Sequence, residues 1–200
     1  LSAVTADAQN QIPNWEFDEQ VTLTSLWNLW LSENFTGLSI VQGAKLSGRN
    51  AMKIDIGGGA IDTLLVFRSF LKLEQGKTHY ISFMAKADAP RAVTLLVQAR
   101  TLHNWQVYWA QDIQLTTEPQ TFNFQYTHTG ATVGGTGIFH SDIDFHFNLA
   151  GDGTDMYVDR IWFATEPPPA PDWTIIARPY EPVPNDMGDD VPIDASLSWG

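Results

Sequence analysis

The chain has 200 residues with 44% hydrophobic and 12% aromatic content, enough for one domain with a buried core and an appendage. A formal net charge of −12 excludes nucleic acid and anionic membrane as partners, because their phosphates repel such a surface. The lack of Cys rules out disulfides and thiol chemistry, and no apolar run approaches the roughly 18 residues that span a bilayer.

Leu1 to Ala8 end in Ala6-Asp7-Ala8, the small-x-small pattern found at the end of a secretory signal. Residues 1–11 therefore read as an N-terminal extension or signal remnant, and an extracellular or cell-surface location is expected. Strand signals follow. Ala51 to Ile56 alternates apolar and polar residues, and Thr78 to Ala87 places Ile81, Phe83 and Ala85 on one face. Ala92 to Arg100 sets Val93, Leu95, Val97 and Ala99 against Thr94, Leu96, Gln98 and Arg100. Gln120 to Tyr126, Asp142 to Leu149 and Asp155 to Phe163 continue the pattern. A period of two marks half-buried strands.

Turn clusters separate these runs at Gly57-Gly58-Gly59, Glu74 to Lys77, Asp88 to Pro90, Thr129 to Gly137 and Gly151 to Gly153. No window carries a helical stripe and no internal repeat is visible. The expected fold is all-β, a two-sheet antiparallel β-sandwich over residues 12–165. After it, Glu166 to Pro171 reads as a polyproline linker opening an extended tail, residues 166–200. Two apolar islands in that tail, one with Trp173, Ile175 and Ile176 and one with Leu197 and Trp199, cannot bury themselves alone. They must pack on the sandwich, on a neighbouring subunit or on a further module.

Several segments together resemble the jelly-roll carbohydrate-binding modules of families 4, 9, 16 and 22. Asn14-Trp15-Glu16-Phe17-Asp18 with Trp27 and Trp30 is similar to that group's opening motif, and Ser47 to Ile54 to its next strand. Leu71 to Ala87 is the strongest match, with Gln111 to Thr117 and Met156 to Ile161 completing the order. The resemblance implies a non-catalytic domain that holds a β-glucan or xylan-like polysaccharide in a concave aromatic groove, of the kind attached to glycoside hydrolases. It further implies a structural Ca²⁺ held by Asp18 and Asp159, with carbonyls near Ser47 and Asn50, since hard oxygen donors suit that ion.

For the groove, the face opposite the core offers Leu96, Gln98 and Arg100, then Asp144, His146 and Asn148, then Ser82, Met84 and Lys86, together with Arg68. Met84 and Arg68 stand where the group commonly carries Trp and Gln. His103, Trp105, Tyr108 and Trp109 form the richest segment, with rings suited to stacking on pyranose faces. Parity leaves open whether Tyr108 or Trp109 points outward, because a bulge would switch faces.

Catalysis is not expected. Asp142, Asp144, Asp152, Asp155 and Asp159 flank turns, where acids usually form turns or stay solvated. The five His lack zinc spacing, and Gly134 to Gly137 lacks the Lys and helix of a phosphate loop. The alternative reading is a subunit of a self-assembling extracellular filament or sheath, with the tail exchanged between copies of the chain. Burial of Trp173, Ile175, Ile176, Leu197 and Trp199 in another subunit would favour it.

Overall fold

The structure, a computed structural model, describes residues 10–12, 17, 27–30, 37–42, 44, 46, 50–56, 64–100, 103–137, 141–149 and 151–169, with the backbone alone at 27–30 and 64–70. These residues form strands β1 (Trp27–Trp30), β2 (Gly37–Gln42), β3 (Asn50–Asp55), β4 (Leu64–Leu73), β5 (Thr78–Ala87) and β6 (Arg91–Ala99). The series continues with β7 (Val107–Leu115), β8 (Gln120–Thr127), β9 (Val133–Gly134), β10 (Ile143–Asn148) and β11 (Met156–Ala164). No α-helix occurs among the described residues.

Two antiparallel sheets stack face to face. One has the order β1-β4-β10-β6-β7, with β9 added beside β4, and the other the order β2-β3-β11-β5-β8. Alternation decides what lies between them. Val93, Leu95, Val97 and Ala99 of β6 and Ile143, Phe145 and Phe147 of β10 are buried against Ile81, Phe83 and Ala85 of β5. Phe83 meets Phe147 edge-on at 5.3 Å and Phe145 at 6.2 Å, joining the two layers at the centre. Each such ring contributes roughly 1.5–3 kcal/mol by leaving water.

Residues 129–137, read from sequence as a turn cluster, contain β9, which pairs with Lys72 and Leu73 of β4. The approach there is too close for a side chain. A Cβ on Gly134, whose φ is +76°, would lie 2.1 Å from the Leu71 carbonyl oxygen.

The segment Asn10–Ile12 is bonded into both sheets. β3 pairs with β11 only over Met156 to Val158. Further along β11, the Asn10 side chain donates to the Ile161 carbonyl at 3.0 Å and accepts from Phe163 N at 2.9 Å. The Gln11 side chain meanwhile exchanges two hydrogen bonds with the backbone of Lys72 in β4. Replacing buried Asn10 with Ala should therefore cost about 3 kcal/mol, since several backbone groups lose partners at once. Urea unfolding measures this, and a loss below about 1 kcal/mol would show the segment to be dispensable.

At the other end, Trp162 pairs in register with Ser82, whose neighbours Ile81 and Phe83 point into the core. The indole thus lies on the sheet's outer side, yet it is buried, and its Nε1–H donates to the Glu166 carbonyl at 2.9 Å. Pro168 and Pro169 are half-buried. The first residues of the expected linker turn back onto the sandwich.

Candidate functional site

The outward face of the six-stranded sheet carries an unusual row. β10 is its central strand, and the residues alternating with Ile143, Phe145 and Phe147 are Asp144, His146 and Asn148. In register beside them on β6 stand Gln98, opposite Asp144, and Leu96, opposite His146. Arg100 follows Ala99, with its backbone N donating to the Asp142 carbonyl at 3.3 Å. Its guanidinium Nε lies 2.6 Å from Asp144 Oδ2, and both side chains are buried.

His146 sits 3.8 Å from the same carboxylate oxygen. It is 2% exposed, and neither ring nitrogen has a hydrogen-bond partner. Burial, reinforced by the Arg100 guanidinium, lowers its pKa to about 3, so the ring is neutral at pH 7. A neutral imidazole offers one donor and one acceptor, and both are unmet here. Asp142 extends the row by tying the residue 136 turn to β10, its Oδ1 accepting from Thr136 N at 3.2 Å.

The hairpin between β6 and β7 overhangs this floor. Arg100 O accepts from His103 N at 2.9 Å and from Trp105 N at 3.3 Å. The Gln98 amide on the outer face donates to Trp105 O at 2.7 Å. His103 and Trp105 are half-buried in that loop.

The expected groove residues separate into groups. Gln98, Arg100 and His146 share one face of the six-stranded sheet, and the loop that carries His103 and Trp105 is bonded through its backbone to Arg100 and Gln98. Arg68 lies in the same sheet, in a stretch of β4 that bulges opposite Asp144, between the pairs Ile143–Leu71 and Phe145–Phe67. Met84 does not join them. It pairs with Asp159 and Thr121 in the five-stranded sheet, across the core, so the single face drawn from parity is corrected.

A bulge also settles the orientation of the aromatic pair on β7. Val97 pairs with Trp109 and Gln98 with Val107, which leaves Tyr108 as the extra residue. Trp109 packs on Phe124 at 5.4 Å and Tyr108 on His128 at 5.4 Å, both against the core at the sandwich edge. Neither ring lies with the polar row.

Of the expected metal set, Asp18 and Ser47 lie outside the described residues. Asp159 is fully buried, with Oδ1 accepting from Arg160 N at 2.8 Å beside the irregularity in β11. The Asn50 side chain donates to the carbonyl of Phe17, the residue before Asp18, at 3.0 Å. A buried carboxylate, with the chain next to a second one tied to β3, fits the donor type calcium takes. Among the described residues no three His, Asp or Glu side chains converge as a metal cluster. The tail residues Trp173, Ile175, Ile176, Leu197 and Trp199 also lie outside the described residues.

The sequence model of a family described as carbohydrate binding domain matches residues 9–144. The chain belongs to the carbohydrate-binding domain family. Among solved structures, one titled "CBM4 structure and function" is 26% identical, covering 76% of this chain and 98% of its own, with a TM-score of 0.56. The second N-terminal cellulose-binding domain of Cellulomonas fimi β-1,4-glucanase C is 22% identical over 80% of this chain and 97% of its own, with a TM-score of 0.56. No curated protein sequence matches. As a carbohydrate-binding domain, the chain is a non-catalytic polysaccharide-binding module built as a jelly-roll sandwich. The family match ends at residue 144, but β11 lies at the centre of its sheet, so the sandwich itself continues to Ala164.

Sequence reasoning placed Asp144 on the outer face with His146 and Arg100, but left it out of the sugar-binding set and, as a candidate catalytic acid, read it as a turn former or solvated charge. Pairing it with Arg100 needed the register of β10 on β6.

Proposed function

We propose that the chain holds a neutral β-glucan or xylan-like chain on the outer face of the six-stranded sheet, over Arg100, Asp144 and His146. The observation that carries this reading is the row of polar side chains, Gln98, Arg100, Asp144, His146 and Asn148, along the outward face of the sheet, with Gln98 and Asn148 partly exposed. A sugar hydroxyl both donates and accepts, so a hydroxyl-rich ligand suits such a row. Within it the Asp144 carboxylate and Arg100 guanidinium supply an acceptor and a fork of donors, and Trp105 offers an apolar face at the loop. A neutral ligand suits a protein of net charge −12. The cellulose-binding title of a similarly folded domain agrees with a β-glucan.

Calorimetric titration with soluble β-1,4-glucan, mixed-linkage glucan and xylan oligosaccharides tests the reading. The unmodified domain should release heat with at least one of them. His146→Ala should then weaken that ligand roughly tenfold, which corresponds to about 1.4 kcal/mol. Silence across the panel with calcium present would overturn the proposal.

A structural Ca²⁺ and a place outside the cell belong to the same proposal. Asp159 and Asp18, with carbonyls of Ser47 and Asn50, would hold the ion, which would neutralise a carboxylate buried in the sandwich. Chelation should lower Tm by about 5 °C or more, on the scale of a ligand at a hundred times its Kd. Asp159→Asn should abolish the difference between calcium and chelator. Equal Tm values for the unmodified protein in both would remove calcium from the account.

A further inference from the structure

The β6–β7 hairpin holds two successive non-glycine residues in the left-handed region, Asn104 at φ +51° and Trp105 at φ +56°. Asn tolerates this conformation because its short side chain can bond locally, but Trp does so rarely. Such backbone persists only where its surroundings over-determine it, and it clusters at ligand-contacting sites. The surroundings here are explicit. Ala99 N donates to Gln106 O at 2.9 Å, Gln106 N to His103 O at 3.1 Å, and Arg100 O accepts from His103 N and Trp105 N. These bonds close the loop but leave the Trp105 carbonyl to another donor. The Gln98 side-chain amide supplies it at 2.7 Å, reaching up from the polar face.

We infer that Gln98 is a positioning residue: its amide N–H holds the Trp105 backbone in the left-handed turn and so fixes how the loop presents the indole. This deepens the proposed sugar-binding role and rests on it for the affinity consequences, while the positioning itself does not require a ligand. Gln98 stands directly opposite Asp144 in register, so the hydrogen bond spans from the floor to the overhanging loop. Its Nε2 is committed to the loop, and its value to binding comes through Trp105.

The test has a ligand-free arm and a binding arm. Nitrogen-15 spectra of the domain without sugar, with the Trp105 indole peak assigned by Trp105→Phe, report the loop directly. Gln98→Ala and Gln98→Glu should both move the Trp105 backbone and indole resonances, since Glu at neutral pH cannot donate to the carbonyl. Trp105 peaks unmoved in both variants would overturn the inference, whatever sugar does.

In calorimetry with the best-bound oligosaccharide, Gln98→Ala should lose about tenfold in affinity, and Trp105→Ala as much or more. The double variant should bind no more weakly than Trp105→Ala. Losses that multiply would mean that Gln98 touches the sugar itself and would overturn the positioning role. If the unmodified domain binds no sugar, the functional reading falls and the spectra alone decide the positioning.

Discussion

Replacing Asp144 with Ala is expected to lower folding stability by about 3–5 kcal/mol, the range for breaking a buried ion pair from one side. A guanidinium does not give up its proton in a protein, and the Arg100 side chain is only 4% exposed. Without the carboxylate 2.6 Å away, that charge stays buried in the sheet's outer layer. The loss comes from keeping a buried charge without this partner, not from the value of the pair itself. Asp144→Leu combined with Arg100→Met should thus recover most of it, because a matched apolar pair removes both desolvated charges. Urea unfolding of the three proteins checks this. A single-variant loss under about 1 kcal/mol would mean that water reaches the guanidinium once Asp144 is gone.

Acid should destabilise the sandwich before its carboxylates are exhausted. Burial holds His79 down to about 4, with nearby His128 adding to the effect and Glu74 opposing it. Burial and Arg100 hold His146 down to about 3, with the Asp144 carboxylate 3.8 Å away. The unfolded chain takes up these two protons near pH 6.5, whereas the folded chain refuses them. Stability is therefore full above pH 6.5 and falls as pH drops, by about 1.4 kcal/mol per pH unit for each histidine. The decline ends near pH 4 for His79 and near pH 3 for His146.

Other groups titrate in the same range, so the difference between proteins is the proper readout. His79→Phe and His146→Leu should each remove one proton's worth of slope from urea midpoints measured between pH 7 and 5. Parallel curves for parent and variant would show that the ring takes up its proton in the folded state.

The strands that were legible in the sequence are those with one wet and one dry face. β5 was bounded as found, and β3, β6, β8, β10 and β11 within a residue at each end. β4 was missed because it opens with four apolar residues in a row, Leu64 to Phe67, follows them with the polar pair Arg68 and Ser69, and bulges against β10, so no alternation runs through it. Which strands share a sheet was not legible either. That depends on long-range pairing, and it is why Met84 was drawn onto the wrong face. Similarly, the bulge that turns Tyr108 and Trp109 inward leaves no mark in parity. The bonding of Asn10 and Gln11 into both sheets was equally invisible, since neither residue forms part of an alternating run.

The bond from the Trp162 indole to Glu166 gives the domain a front and a back. The described start of the proline segment, as far as Pro169, lies against the five-stranded sheet, on the side opposite His146. Residues 166–169 thus back the sandwich like a hand laid behind a palm. A ligand on the proposed sugar face would meet no competition for space from them.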